Sequence, residues 1–149
     1  MDAKVDLKLK LSVKGQKGKK MSMDVTPPTA LIVDDNYFNR DLCALALGHV
    51  GYQVMQAENG LEAVNLLQAH KFDLLILDLE MPELDGRGVM REIQTSHEHD
   101  MMSIIVMTAN AHMATDEVDM SVDFVIYKPI DVNEFSRLAE RLTKRRANH

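Results

Sequence analysis

Residues Lys71–Gly86 read KFDLLILDLEMPELDG, an apolar run that ends at a single carboxylate. Leu74 to Leu77 form a short continuous apolar segment between charged and turn residues, which predicts a strand buried on both faces of a parallel sheet. Asp78 then lies at the carboxyl end of this strand, where open α/β sheets form their ligand crevices. Taken alone, Asp78 could simply cap the turn, because aspartate bonds readily to nearby backbone groups.

The chain from Thr29 onward alternates five times between strand and helix patterns. Besides the run that ends at Asp78, the predicted strands are the segment ALIV after Thr29, Gln53–Ala57, Ser103–Thr108 and Phe124–Tyr127. The first predicted helix is Asn36–Val50 with apolar Leu42, Leu45 and Ala46, and the second runs through Leu61, Val64 and Leu67. A third is predicted from Asp85 to about Thr95 and a fourth around Ala111–Met120. The last predicted helix has Val132, Phe135, Leu138, Ala139 and Leu142 on its buried face. This alternation predicts an α/β fold with a doubly wound parallel sheet, right-handed crossovers and helices on both faces.

Composition favours one ordinary domain, because 149 residues with 46% hydrophobic and 27% charged side chains can bury a core. The first 20 residues carry seven Lys and two Asp, so the net charge of residues 21–149 is −11 and direct nucleic-acid binding is not expected. The single Cys43 is predicted to be a core residue in a reducing compartment. No segment approaches the roughly 20 apolar residues that cross a bilayer, so we expect a cytoplasmic protein without membrane contact.

Residues 1–28 differ from the remainder and are predicted to be a basic N-terminal extension or linker, with the domain proper at 29–149. Val5–Val13 alternate apolar and polar residues like an edge strand, and a segment rich in Gly, Lys and Pro follows. A tag, a fragment of a preceding domain and a natural arm all remain open.

Polar residues follow the ends of four predicted strands: Asp34-Asp35, Asp78, Thr108 and Lys128. Because parallel strands end at the same edge of a sheet, these side chains should lie together. Three facing carboxylates would repel each other unless a cation joined them, and their oxygen atoms suit Mg²⁺. Lys128 and Thr108 could contact phosphoryl oxygens, and Asp78 could accept a phosphoryl group. Each residue alone has another interpretation, such as a helix cap for the acid pair or a solvated surface lysine.

Five motifs carry a specific resemblance in the order LIVDDN, AENGLEA, LLILDLEMPELDG, IIVMTANA and YKPID, over Ala30–Leu142. They resemble the receiver domain of two-component response regulators, the CheY-like family. The resemblance implies a flavodoxin-like fold with strand order 2-1-3-4-5 and a phosphoryl group transferred to Asp78 from a histidine kinase or histidine phosphotransfer protein. The motif VDDNYFNR is most similar to single-domain regulators and to receivers of hybrid histidine kinases.

The resemblance also assigns the site residues. Asp35 and Asp78 match the direct Mg²⁺ ligands, Asp34 matches a ligand that acts through water, and the backbone carbonyl of Glu80 matches the remaining protein ligand. Thr108 and Lys128 match the switch hydroxyl and the phosphate-binding lysine. The implied protein is a phosphoacceptor that assists its own phosphotransfer and dephosphorylation, and it is not an enzyme in the usual sense.

Three functions remain to be weighed. The first is this phosphoacceptor, which would change its interactions with a downstream protein target. The second is a phosphorylation-independent interaction module with the same fold, and the third is a metal-dependent phosphatase or phosphotransferase acting on small molecules. The complete set of three Asp, Thr and Lys favours the first, while the lack of an evident lid insertion disfavours the third. A homodimer is an open alternative for the assembly.

Two expectations concern Lys128 and the strand before it. A cis Lys128-Pro129 bond is expected, because the lysine must turn back over the pocket directly after a strand. Val125 occupies a position that is usually aromatic in the family and reports phosphorylation. It should share a face with Tyr127, opposite Phe124 and Ile126. We therefore expect phosphorylation to move the loop after Thr108 without a large rotation of an aromatic ring at position 125.

Overall fold

The computed structural model describes residues 26–81, 86–96, 98–110 and 122–147, which form one sheet flanked by helices. The strands are β1 (Thr29–Val33), β2 (Gln53–Ala57), β3 (Leu74–Asp78), β4 (Ser103–Thr108) and β5 (Phe124–Tyr127). The helices are α1 (Tyr37–His49), α2 (Gly60–Ala69), α3 (Gly86–Ser96) and α4 (Val132–Ala147). The predicted alternation is confirmed for these elements, whereas the predicted edge strand Val5–Val13 and the predicted helix Ala111–Met120 lie outside the described residues.

All five strands are parallel in the order β2-β1-β3-β4-β5, so the predicted topology is confirmed. β3 lies in the centre, and all five of its residues are buried. The register pairs Asp78 with Met107 and Thr108 with Tyr127, which brings the carboxyl ends of the central strands to one edge. The polar residues at these ends are therefore neighbours.

Apolar side chains alternate between the two faces of the sheet and form two cores. One core includes Leu31, Val33, Leu75, Leu77, Val89, Ile93 and Val106. The other includes Ala30, Ile32, Cys43, Leu47, Ile76, Ile105 and Phe135. Val125 packs against the first core and Phe124 and Ile126 against the second, as their alternation along the strand predicts. Among the described helices, none has the length and apolar character that a bilayer crossing requires.

Helix α1 begins directly after the acid pair that follows β1. Asn36 adopts an extended backbone conformation, and its side chain accepts a hydrogen bond from the Asn39 N–H at 3.0 Å. This cap satisfies one of the backbone donors that a helix start leaves unpaired. At the other end, Gly51 has φ +103°, a left-handed conformation that glycine adopts at no steric cost. Both ends of α1 thus follow from local sequence.

Candidate functional site

Two buried aspartates form the centre of the site. Asp34 directly follows β1 and is 0% exposed, while Asp78 ends the neighbouring strand β3 and is 1% exposed. The Oδ1 atom of Asp34 accepts a hydrogen bond from the Asn36 N–H at 2.8 Å. The Oδ1 atom of Asp78 accepts one from the Glu80 N–H at 3.0 Å. Each carboxylate therefore has one oxygen held by the turn that follows it.

The remaining oxygens face a single cation. Lys128 Nζ lies 3.3 Å from Asp34 Oδ2 and 3.2 Å from Asp78 Oδ2. Apart from this ammonium group, neither Oδ2 atom has a hydrogen-bond donor in the part of the chain that the structure describes. Two buried carboxylates thus share one ammonium group, and the site has more negative than positive charge.

Burial and the neighbouring charges shift the pKa values of Asp78 and Lys128. Burial raises the pKa of the Asp78 carboxyl to about 6, and repulsion from Asp34 adds to the increase. The hydrogen bond from Glu80 and the Lys128 ammonium act in the opposite direction. For Lys128, burial lowers the pKa, but attraction to the two carboxylates exceeds that effect and the pKa rises above its ordinary value. A further cation would be stabilised here.

Asp35 supplies a third carboxylate at this edge, on an exposed residue. One oxygen from each of Asp34, Asp35 and Asp78 lies within 4.8 Å of the other two. Carboxylate oxygens are the hard ligands that Mg²⁺ prefers, and among the described residues the two buried Oδ2 atoms have only the Lys128 ammonium as a partner. The donor set therefore fits a divalent cation. The predicted role of the Glu80 carbonyl stays a prediction.

The two other predicted site residues lie at the same edge. Thr108 ends β4, is fully buried and donates its hydroxyl to the Asn110 carbonyl at 2.9 Å, while its oxygen accepts from the Asn110 N–H at 3.0 Å. The Lys128 N–H donates to the Thr108 carbonyl at 2.9 Å, which joins the ends of β4 and β5. The Lys128-Pro129 peptide bond is cis, so that prediction is confirmed.

Helix α3 starts very close to the end of β3. A Cβ atom placed on Gly86 would lie 2.6 Å from the Asp78 carbonyl oxygen and 2.7 Å from the Leu79 Cα. These are backbone atoms, which cannot move aside without shifting the strand end. Glycine at position 86 therefore allows the close approach and fixes the backbone behind Asp78.

Two side chains at the site were not predicted from the sequence. Arg40 donates through Nη1 to the Asp34 carbonyl at 2.9 Å and through Nε to Gln56 Oε1 at 3.2 Å. Glu80 accepts a hydrogen bond on Oε1 from the Ala109 N–H at 2.9 Å. For Arg40 a signal existed, because a long side chain in the first turn of a helix points back toward the helix N terminus.

With this geometry established, comparison with known proteins identifies the class. The chain belongs to the response regulator receiver domain family, whose model matches residues 30–140. It is similar to the polar-differentiation response regulator DivK of Brucella anthropi, with 33% identity over 112 residues that cover 73% of this chain and 90% of DivK. It is also 30% identical over 128 residues to the probable transcriptional regulator ycf27 of Cyanophora paradoxa, which covers 85% of this chain. The chain spans only 52% of that protein's length.

A solved structure supports the same assignment. The fold is similar to that of response regulator TrrA of Thermotoga maritima in complex with Mg²⁺-BeF, with a TM-score of 0.69 and 32% identity. The alignment covers 77% of this chain and 98% of TrrA. The family and the fold predicted from the motifs are therefore confirmed.

Proposed function

We propose that this chain is a phosphoacceptor signalling domain in which Asp78 receives a phosphoryl group. The donor would be the phosphohistidine of a histidine kinase or of a histidine phosphotransfer protein, and phosphorylation would change binding to a downstream protein. The observation that carries the proposal is the buried Asp78 Oδ2, which faces the Lys128 ammonium at 3.2 Å and has no other hydrogen-bond donor among the described residues. Membership in the receiver family supports it, and a cytoplasmic location belongs to the same proposal.

The proposed transfer step uses the Oδ2 atom of Asp78. Its Oδ2 atom forms the bond to phosphorus while the P–N bond of the donor breaks, and the bonding electron pair leaves with the imidazole nitrogen. Oδ1 stays bonded to the Glu80 N–H, which orients the carboxylate. Lys128, 3.2 Å from Oδ2, is placed to contact an oxygen of the incoming phosphoryl group. The acceptor thus needs positioning and electrostatic stabilisation rather than a further base.

A magnesium ion fits the same proposal. Asp34, Asp35 and Asp78 would hold it together with the Glu80 carbonyl, and Asp34 would act through water. When bound, Mg²⁺ would neutralise the carboxylates and the charge on the phosphoryl oxygens. The backbone bonds to the Oδ1 atoms of Asp34 and Asp78 leave the Oδ2 atoms facing Lys128.

We further propose that output begins at Thr108. Its hydroxyl is bonded to the Asn110 carbonyl, so a phosphoryl group on Asp78 would compete for this donor. Redirecting the hydroxyl would change the loop that follows β4 and shift the balance between two conformations. Val125 has no ring to rotate, and Tyr127 is 52% exposed. The Thr108 loop is therefore the proposed route of the signal.

A second candidate function is a protein-interaction module that works without phosphorylation. Tyr37 and Phe38 are 61% and 78% exposed at the start of α1, and their rings pack edge to face with centroids 5.7 Å apart. Such an apolar pair next to Asp35 suits contact with a protein partner. A phosphodonor protein could use the same surface, so the aromatic pair favours protein binding under either candidate.

Intact mass measurement after incubation with Mg²⁺ and phosphoramidate tests the proposal. Wild type should gain one phosphoryl group, and the reaction should stop when a chelator removes Mg²⁺. Asp78→Asn should gain none, whereas the control Asp73→Asn, at the opposite edge of the sheet, should react like wild type. Phosphorylation of Asp78→Asn at the wild-type rate, or a rate that the chelator does not change, would refute the assignment. A wild type that never gains the group would favour the interaction module.

A further inference from the structure

We propose that Arg40 is a positioning residue of the metal and phosphoryl site, an inference that rests on the proposed function. Its guanidinium fixes the peptide group that joins Asp34 and Asp35. Both of these residues carry carboxylates of the cluster, so the orientation of one peptide plane sets the direction of two side chains. Arg40 itself supplies no oxygen ligand and acts through this backbone group.

The turn after β1 shows why this contact is important. The Asp34 N–H donates to the Ala57 carbonyl of β2 at 3.2 Å, and Asp34 Oδ1 accepts from the Asn36 N–H. The Asp34 carbonyl lies beyond the last residue of β1 and receives the Arg40 Nη1–H at 2.9 Å. Asp35 is exposed, so core packing does not hold it in place. Its position depends on the backbone, and Arg40 fixes the peptide group that precedes it.

Arg40 is itself held by two further contacts, one with β2 and one within its own helix. Its Nε donates to Gln56 Oε1 on β2 at 3.2 Å, and its guanidinium carbon lies 5.6 Å from the centre of the Tyr37 ring. The planar guanidinium can donate in two fixed directions at once, whereas the ammonium of lysine is a flexible point charge. Arg40 therefore connects α1, β2 and the acid turn in a way that lysine cannot reproduce.

Two roles of Arg40 lead to different expected results: Arg40 could position the backbone through directed hydrogen bonds, or it could only contribute a positive charge. If the positive charge were sufficient, Arg40→Lys would retain full function. If the two directed hydrogen bonds matter, Arg40→Lys and Arg40→Gln should both weaken Mg²⁺ binding. Residues that orient metal ligands from outside the coordination sphere typically affect affinity by about ten-fold or more. We expect a loss of about that size for both variants.

Isothermal titration calorimetry with Mg²⁺ measures this loss directly, and unfolding in chelator measures any general structural effect. The control is Arg137→Gln, which removes an exposed arginine from α4 and should leave Mg²⁺ affinity unchanged. Gln56→Ala leaves Arg40 intact and removes the acceptor of its Nε–H, so it should weaken Mg²⁺ binding in the same direction by a smaller factor. This variant keeps the test valid if the Arg40 variants fold poorly.

The outcomes separate this inference from the proposed function. If wild type binds Mg²⁺ and is phosphorylated while Arg40→Lys binds Mg²⁺ equally well, positioning by Arg40 is wrong and the function stands. If wild type binds Mg²⁺ but Asp78 is not phosphorylated, the function fails, and weaker binding by both Arg40 variants still supports positioning of the metal carboxylates. A wild type that binds no Mg²⁺ overturns both.

Discussion

Aspartates lie at both edges of the sheet: at the carboxyl edge, where the parallel strands end, and at the amino edge, where they begin. The two sets have different surroundings. At the carboxyl edge, Asp34 and Asp78 each keep a buried Oδ2 atom that faces Lys128. At the amino edge, Asp73 accepts on Oδ2 from the Thr29 N–H at 2.8 Å. In the same way, Oδ2 of Asp123 accepts from the Ile104 N–H at 2.7 Å.

The direction of the strands explains this difference. Where parallel strands begin, backbone N–H groups lack a partner in the ladder, and a carboxylate can accept from them. Where the strands end, carbonyl groups lack a partner, and they cannot donate to a carboxylate. Aspartates at the amino edge therefore stabilise the fold, whereas those at the carboxyl edge retain an oxygen for a cation or a phosphoryl group. The Asp34 carbonyl, which accepts from Arg40, is one such strand-end group.

Substitutions at the two edges of the sheet should differ most strongly in their effect on Mg²⁺ affinity. Asp34→Asn removes a charge from the cluster and should weaken Mg²⁺ binding by about ten-fold to a hundred-fold. Asp73→Asn removes a charge at the other edge and should leave the affinity within about two-fold, because the length of β3 separates it from the cluster by more than a Debye length of about 10 Å. Titration calorimetry with Mg²⁺ measures both. Equal losses in the two variants would mean that only net charge attracts the ion.

Stability in chelator should change in opposite directions at the two edges. Asp78→Asn removes one of two buried carboxylates that share Lys128. Because burial raises the pKa of Asp78 from 3.8 to about 6, the variant should have a free energy of unfolding higher than wild type above pH 7, by on the order of 1–3 kcal/mol. Asp123→Asn replaces a charged acceptor of the Ile104 N–H with a neutral one and should cost about 0.5–1 kcal/mol. Urea unfolding in chelator measures both free energies.

The effect at Asp78 should depend on pH with a defined sign. Because its folded pKa of about 6 exceeds the ordinary value of 3.8, the folded state binds the proton more tightly than the unfolded state. The stability that this group contributes is fully present below about pH 4 and is lost as the pH rises through about 6. The advantage of Asp78→Asn over wild type should therefore grow from pH 4 to pH 7. An advantage that stays constant over this range would show that charge burial is not its cause.

The sequence was sufficient to predict those site residues whose position is fixed by the end of a strand. Asp78, Thr108 and Lys128 could be placed together because buried apolar runs mark parallel strands, and parallel strands end at one edge. Val132 was predicted on the buried face of the last helix, and this is wrong, since it is 39% exposed. Helical periodicity identifies an apolar stripe but does not say how wide the contacting surface is.

The sequence indicates the direction of the Arg40 side chain, but it does not identify the partners of Arg40 or of the Glu80 side chain. Each contact joins residues from different loops or strands, such as Arg40 with Gln56, and the relative position of those elements is set by packing. The identity of a residue gives its hydrogen-bonding capacity, but the partner depends on the assembled fold. Strand ends are encoded locally, and contacts between turns are not.

Glu80 shares one feature with each set of aspartates, and its substitution should have a smaller effect than the aspartate substitutions. It is at the carboxyl edge, yet its Oε1 accepts from a backbone N–H, that of Ala109 in the loop after Thr108. Its own N–H bonds to Asp78 Oδ1, so Glu80 connects the acceptor turn to the loop that should move. Glu80→Ala should loosen this loop while keeping the backbone carbonyl, and Glu80→Gln retains an acceptor oxygen.

Amide hydrogen exchange detects the loosening. A hydrogen bond worth about 1 kcal/mol corresponds to roughly five-fold faster exchange of the Ala109 amide in Glu80→Ala, with Glu80→Gln in between. Phosphorylation of Asp78 should change by a similar or smaller factor, because the carboxylates and Lys128 are untouched. Unchanged exchange at Ala109 in Glu80→Ala would mean that the loop is held by Thr108 and Asn110 alone. In that case the hydroxyl of Thr108 would be the remaining link to the loop among the described residues, and Thr108→Ala should then produce the faster exchange that Glu80→Ala did not.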